Sequence, residues 1–85
     1  MTTDEEFAAA VARVKNVTGL SSVDQLDLYA LFKQATAGDA SGARPGMLDV
    51  RGRAKHDAWA GKRGMSATGA RAAYVALVAR LAPLP

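Results

Sequence analysis

The chain has 85 residues, a formal net charge of +3, one histidine and no cysteine. That length implies one domain, 1–85, with a small core, and the missing cysteine excludes disulfides, thiolate zinc sites and cysteine nucleophiles. The longest apolar runs, FAAAVA (7–12) and AAYVALVA (72–79), fall far short of the roughly 20 residues needed to span a bilayer, and the acidic opening MTTDEEF lacks the basic and apolar regions of a secretory signal, so a cytoplasmic protein is the expectation.

The alanine-rich composition favours helices, and four helical segments follow in order. The first is expected over about Asp4–Val17: TDEE (3–6) reads as a capping box with Thr3 as the cap and Glu6 reaching back, Phe7, Ala10, Val11 and Val14 form its apolar stripe, and Lys15 suits the negative end of the helix dipole. TGLSS (18–22) breaks it. The second is expected from Ser22 or Val23 to Ala37, with SVDQ (22–25) as a second capping box, Leu28, Leu31, Phe32 and Ala35 on the apolar face, and Gly38 as the stop. Tyr29 and Lys33, four apart, are neighbours on its surface.

Residues 38–49, GDASGARPGMLD, form the longest connection, with Pro45 and Gly46 expected at the centre of a type II turn. Such a stretch is either a solvated linker or a chain that wraps one rim of a pocket. The third helix is expected from Asp49, a fair N-cap, to about Lys62, bracketed by Gly61 and Gly64. The fourth is expected from Ser66 to about Ala82, with Ala70, Ala73, Tyr74, Leu77, Val78 and Leu81 as its stripe, Gly69 weakening its first turn, and Pro83 and Pro85 stopping it. The fold class is therefore all-α, a four-helix bundle with one long connection.

Charge divides unevenly along this plan. Residues 1–42 carry three Lys/Arg against six Asp/Glu, and residues 43–85 carry eight against two. A stripe of positive charge fits this better than the large continuous patch of a nucleic-acid binder. The densest run is VRGRAKHDAW (50–59). At about 100° per residue, Arg51, Lys55 and Trp59 keep to one side of a helix while Arg53 falls nearly opposite Arg51. Arg51 and Lys55 can thus address one ligand. Trp59 is expected in the core.

Enzyme readings find little support. No HExxH, P-loop or dinucleotide fingerprint is present, and His56 and Asp57, adjacent on a helix, do not face each other. No metal site and no cofactor are expected. If the bundle brings Tyr29, Tyr74, Lys15, Lys33 and Lys55 around one concavity, rings and ammonium groups together suit a nucleotide bearing a phosphate. A helical interaction module using the basic segment 51–63, and an enzyme using His56, are the competing readings.

The stretch YALFKQATAGDASGARPGMLDVRGRAKHDAW (29–59) resembles the acyl-coenzyme A binding protein family: a tyrosine, lysine-glutamine-alanine-threonine, a GD pair, RPGM, a D-x-x-x-x-A-K step and a nearby tryptophan. AAYVALV (72–78) resembles the tyrosine segment of its last helix. The likeness covers nearly the whole chain. It implies an antiparallel four-helix bundle with a long overhand loop between helices two and three. It also implies a non-catalytic cytosolic carrier of medium- and long-chain fatty acyl-CoA thioesters, with no nucleic-acid partner, at most transient contact with membranes or acyl-CoA-using enzymes, and a monomeric state.

Residue by residue, Tyr29 resembles the family's residue stacking near the adenine, and Lys33 and Lys55 resemble its lysines on the ribose 3′-phosphate. Tyr74 resembles the ring closing the site from helix four, and Lys15 a further basic contact. Tyr29, Ala30, Leu31, Phe32 and Lys33 together match the helix-two binding stretch. An acyl chain needs an apolar groove, for which Phe7, Val11, Leu26 and Leu28 are the candidates. Four features depart from the family pattern. Phe32 stands where tyrosine is frequent and His56 where tryptophan is. KNVTGLSS (15–22) is one residue shorter and lacks a second lysine. RLAPLP replaces a lysine-rich ending.

Overall fold

The computed structural model describes residues 3–83; Pro85, expected to help stop the last helix, lies outside them. Four helices follow one another: α1 (Asp4–Val14), α2 (Ser22–Ala37), α3 (Val50–Ala60) and α4 (Ala67–Leu81). No strand occurs among the described residues.

Each helix starts on a side-chain cap. Thr3 Oγ1 accepts the Glu6 N–H at 3.1 Å and Glu6 Oε1 accepts the Thr3 N–H at 3.1 Å, the reciprocal box expected of TDEE. In α2 the cap is Ser21, one residue before the expected Ser22: its Oγ accepts the Asp24 N–H at 3.1 Å, and the Gln25 side chain turns back to the Leu20 carbonyl at 2.9 Å. Asp49 caps α3 through the Gly52 N–H at 3.0 Å. A Cβ on Gly52 would collide with that carboxylate, so the glycine leaves the cap its room. Ser66 caps α4 through the Gly69 N–H at 2.9 Å.

α2 ends at Ala37 as expected, but α1 and α3 end earlier than the sequence suggests. In α1, Asn16 and Val17 donate three residues back, to Arg13 and Val14, so the chain tightens after Val14 instead of continuing to Val17. After Ala60, Lys62, Arg63 and Met65 likewise donate three residues back, and α3 stops two residues before the expected Lys62. Gly38, at φ 81° and ψ −152°, takes an extended positive-φ conformation open essentially to glycine alone, and this closes α2.

Direction along the bundle follows from the long-range contacts. Asp4 pairs with Arg71, and the Arg13 guanidinium donates to the Ala82 carbonyl, so α1 and α4 run the same way. Asp24 pairs with Arg80 and Gln34 donates to the Met65 carbonyl, so α2 is antiparallel to α4. Tyr29 meets Lys55 and Gly38 meets Trp59, so α2 and α3 share a direction. Parallel neighbours need a connection that returns the length of a helix. α2, with 16 residues, is about 24 Å long, and residues 38–49 span that distance as an overhand loop.

The core joins α1, α2 and α4: Ala10, Leu28, Leu31, Tyr74 and Val78 are buried together, with Phe7, Val11, Val14, Leu77 and Leu81 packed around them. Because α2 packs against both α3 and α4, it buries more than the one expected face. Ala30 and Gln34, outside the Leu28–Leu31–Ala35 stripe, are fully enclosed. Gln34 uses its amide to join two connections, donating to Asp39 Oδ1 after α2 and to the Met65 carbonyl between α3 and α4, each at 2.8 Å.

The overhand loop is tied down over part of its length. Trp59 Nε1 donates to the Gly38 carbonyl at 2.7 Å, Asp39 Oδ1 accepts the Gly64 N–H at 2.9 Å, and Arg44 clasps Asp57 with two bonds of 2.8 and 2.6 Å. The expected type II turn at Pro45–Gly46 does not form, since Gly46 does not have the positive φ it requires. The turn sits two residues on: the Asp49 N–H bonds to the Gly46 carbonyl at 3.0 Å, around Met47 and Leu48. It delivers Asp49 to its capping position.

The Gly64 N–H and then the Gln34 amide hold the Asp39 carboxyl below its ordinary pKa, and the Arg44 guanidinium does the same for Asp57. As the pH falls through the ordinary carboxylate range near about 4, the unfolded chain takes up these protons first. Stability is therefore expected to hold above that range and to fall as the pH drops through the lower folded-state values. Melting temperatures measured from neutral to acid pH should show a shallower acid decline in Asp39→Asn and Asp57→Asn. An unchanged slope in both would assign acid sensitivity elsewhere.

Candidate functional site

One face of α2 organises the site. Ser22, Gln25, Leu26, Tyr29, Phe32 and Lys33 recur at the i, i+3, i+4, i+7 spacing that places side chains on one side of a helix. Ser22, Gln25 and Leu26 form one wall of an open concavity of about 190 Å³, and Val50, Arg51, Ala54 and Lys55 of α3 form the other. Its apolar lining is Leu26, Val50 and Ala54; Arg51 and Lys55 bring positive charge to it.

Beside this concavity, lysines and rings pair across the two helices. Lys55 Nζ lies 5.4 Å from the centre of the Tyr29 ring, and Lys33 Nζ lies 4.7 Å from that of Trp59. Both distances suit cation–π attraction. Lys55 is exposed and Lys33 half-buried, so both ammonium groups are placed to exchange a ring for an anion. Trp59 itself is buried, with its N–H on the Gly38 carbonyl, as a core tryptophan should be.

A second aromatic group continues the face. Phe32 stacks on Phe7 at 6.0 Å between ring centres, and Tyr74 meets Phe7 edge-on at 5.2 Å and Phe32 at 6.4 Å. Tyr74 is buried and Phe32 about one-third exposed, so Phe32 shows the outer ring of the group. Burial pushes the Tyr74 phenol above its ordinary pKa and keeps it neutral.

The residues singled out from the sequence thus fall into three sets. Tyr29, Lys33 and Lys55 come together, with Phe32 and Tyr74 in the adjoining aromatic group. Ala30 and Leu31 are buried, and their side chains anchor α2 instead of facing outward. Lys15 is the exposed cap residue at the end of α1 and enters neither lysine–ring pair. Of the four groove candidates only Leu26 lines the concavity; Phe7, Val11 and Leu28 belong to the core and its margin. Arg51 lies where the helical geometry put it, beside Lys55. Ser22, Gln25, Val50 and Ala54 were missed. Extending the Tyr29–Lys33 face back by one and two turns reaches Ser22, Gln25 and Leu26, so the signal was present in the spacing.

His56 sits edge-on to Trp59 at 6.3 Å, and both its ring nitrogens are enclosed without a hydrogen-bond partner. Asp57 is engaged by Arg44. No acid–base pair joins the two. Among the described residues no group of three or more His, Asp or Glu is placed to hold a metal ion, and no helix is long and apolar enough to cross a membrane.

The profile of the family described as Acyl CoA binding protein matches residues 4–78. The chain is 52% identical over 83 residues to an acyl-CoA-binding protein homolog of Manduca sexta, covering 95% of this chain and 92% of that one. It is 49% identical over 76 residues to acyl-CoA-binding protein homolog 1 of Caenorhabditis elegans, covering 88% of each. Among solved structures it is similar to acyl-CoA-binding protein 2 of Oryza sativa, with a TM-score of 0.88 at 38% identity over 91% of this chain and 85% of that one. The acyl-CoA-binding protein of Babesia bovis superposes with a TM-score of 0.82 at 43% identity over 96% of both chains. The chain belongs to the acyl-CoA-binding protein family.

Proposed function

We propose that this protein binds medium- to long-chain fatty acyl-CoA thioesters and carries them without altering them. The observation that carries this reading is the sequence of environments along one face of α2. A concavity with an apolar lining at one end gives way to two lysine–ring pairs at the other. A thioester of coenzyme A has the same order, an apolar tail joined to a phosphorylated nucleotide.

In this assignment Lys33 and Lys55 leave Trp59 and Tyr29 to hold the ribose 3′-phosphate, and the ring that Lys55 vacates offers the adenine a stacking surface. Phe32 and Tyr74 flank the nucleotide on the other side, and Lys15 supplies a further positive charge from the end of α1. The tail lies along Leu26, Val50 and Ala54, where each methylene taken fully out of water is worth about 0.8 kcal/mol. The head thus sets specificity and the tail adds affinity. The engagement of Asp57 by Arg44 supports carriage over catalysis, because it leaves His56 without a carboxylate to orient it. The carrier acts as a cytoplasmic monomer on this reading, without a cofactor and without a nucleic-acid partner.

Calorimetric titration with palmitoyl-CoA, free coenzyme A and free palmitate tests the assignment. Palmitoyl-CoA is expected to bind much more tightly than either fragment. Equally weak binding of all three would remove the proposal.

A further inference from the structure

One cation in the concavity is left over by the carrier reading. Ser22, Gln25, Arg51 and Lys55 are four of its seven lining residues, so the space assigned to an apolar tail is polar along part of its wall. Lys55 pairs with the Tyr29 ring at the head end. The Gln25 side-chain amide is committed to the Leu20 carbonyl at 2.9 Å. Arg51 is exposed and enters none of the ion pairs among the described residues. The acids of α2, of α3 and of the α3 cap are engaged elsewhere: Asp24 with Arg80, Asp27 with Lys62, Asp57 with Arg44, and Asp49 on the Gly52 N–H.

The helix sets the place of Arg51 along the site. It lies one turn before Lys55 on α3, about 6 Å along the axis, and α2 and α3 share a direction. The pairs Tyr29–Lys55 and Lys33–Trp59 therefore mark one end of the site, and Arg51 with Val50 and Ser22 marks the other. At about 190 Å³ the concavity is below the roughly 300–1,000 Å³ of ordinary ligand pockets. It takes a short run of methylenes, and the end of that run lies beside the guanidinium.

We infer that Arg51 makes the distal end of the concavity a subsite for a carboxylate, so that the ligands include ω-carboxyacyl-CoA thioesters, the mono-CoA esters of medium-chain dicarboxylic acids; this rests on the carrier reading and narrows its class of acyl chain. A plain alkyl chain gives Arg51 nothing to bond to and takes water from its guanidinium. A terminal carboxylate gives it a charge-assisted partner that both arms of the fork can reach, with the Ser22 hydroxyl on the facing wall as a further donor. In a wholly apolar groove the same carboxylate would be expelled, because a charge that leaves water unpaired is costly. The competing arrangement lays the arginine stem on the chain and leaves its head in water, and the terminal group is then indifferent to Arg51.

Calorimetric titration separates the two. Octanedioyl-, decanedioyl- and dodecanedioyl-CoA are compared with octanoyl-, decanoyl- and dodecanoyl-CoA on the native protein and on Arg51→Met, which keeps an unbranched apolar stem. In the native protein at least one diacid ester is expected to bind within about tenfold of its alkanoyl counterpart. Arg51→Met should lower the affinity of that diacid ester, relative to its counterpart, by about tenfold or more. Arg51→Lys should restore part of the difference, and rising salt should narrow it. The same ratio between the two esters in native protein and Arg51→Met, at all three chain lengths, overturns the inference; equal weakening of both esters gives that result and assigns Arg51 to the shared CoA head. If the native protein binds the alkanoyl esters and excludes every diacid ester, the subsite falls and the carrier reading stands. If it binds none of them, both fall.

Discussion

Replacing Lys33 and Lys55 together by alanine is expected to weaken palmitoyl-CoA binding by about a hundredfold or more, because each charge-assisted bond to a phosphate is worth about 1.5–3 kcal/mol. The same variant should bind the dephospho-CoA ester, which lacks the 3′-phosphate, with a loss of less than about fivefold. This contrast isolates the anion from the rest of the ligand. Both lysine ammonium groups sit over rings in the free protein, so truncation also uncovers Trp59 and Tyr29. Lys33→Met with Lys55→Met keeps the aliphatic stems on those rings and should reproduce the affinity loss while leaving thermal stability close to native. Titration of both esters against both variants is the measurement. An equal loss for the two esters would mean that the lysines hold something other than the 3′-phosphate.

The second large effect concerns the fold. Tyr74→Ala should cost about 3–5 kcal/mol of stability, the range for removing a large aromatic side chain from a core. Tyr74 is 4% exposed and joins Phe7 of α1 and Phe32 of α2 in one ring group, so its removal loosens three helices at once. Small domains have only about 5–15 kcal/mol in total, and the variant should unfold at markedly lower urea. Tyr74→Phe, which removes only the hydroxyl, should stay within about 1 kcal/mol of native. Urea unfolding followed by circular dichroism and by the emission of Trp59 gives both numbers. A loss below about 1 kcal/mol in Tyr74→Ala would show that the ring group is not a structural centre.

How far the sequence reaches depends on whether a feature is local. The Thr3–Glu6 box, the Asp49 cap and the Gly38 stop use groups within four residues of one another, and all three form as expected. The stripe of α4 was readable because the helix buries one side, with Ala70, Tyr74 and Val78 enclosed. α2 was harder. It lies between α3 and α4, and the burial of Ala30 and Gln34 depends on that second neighbour, which no stripe on α2 announces. The turn at Met47–Leu48 followed the same logic, since the need to deliver Asp49 to α3 overrode the local preference of Pro45–Gly46.

The candidate site shows the same division. Tyr29 and Lys33 were visible as an i, i+4 pair on one helix, yet each meets a partner on α3, Tyr29 with Lys55 and Lys33 with Trp59. That exchange depends on the docking register of two helices separated by the overhand loop. The concavity likewise exists only once Val50, Arg51 and Ala54 face Leu26. Residue types were legible; their pairing required the fold.

The parallel course of α1 and α4 has a consequence for how the chain folds. The contact between Arg13 and Ala82 joins residues 69 positions apart, so seating α1 closes a loop that contains nearly all of the polypeptide. Closing a large loop is entropically more demanding than closing a short one, and contacts of such separation slow folding relative to a bundle whose successive helices are all neighbours. The segment from α2 to α4 can assemble first, with α1 arriving afterwards on a surface already formed. In the native ensemble the reverse step, release of α1 from α4, is then the opening expected earliest, and amide protons of Phe7–Val14 should exchange ahead of those in α2.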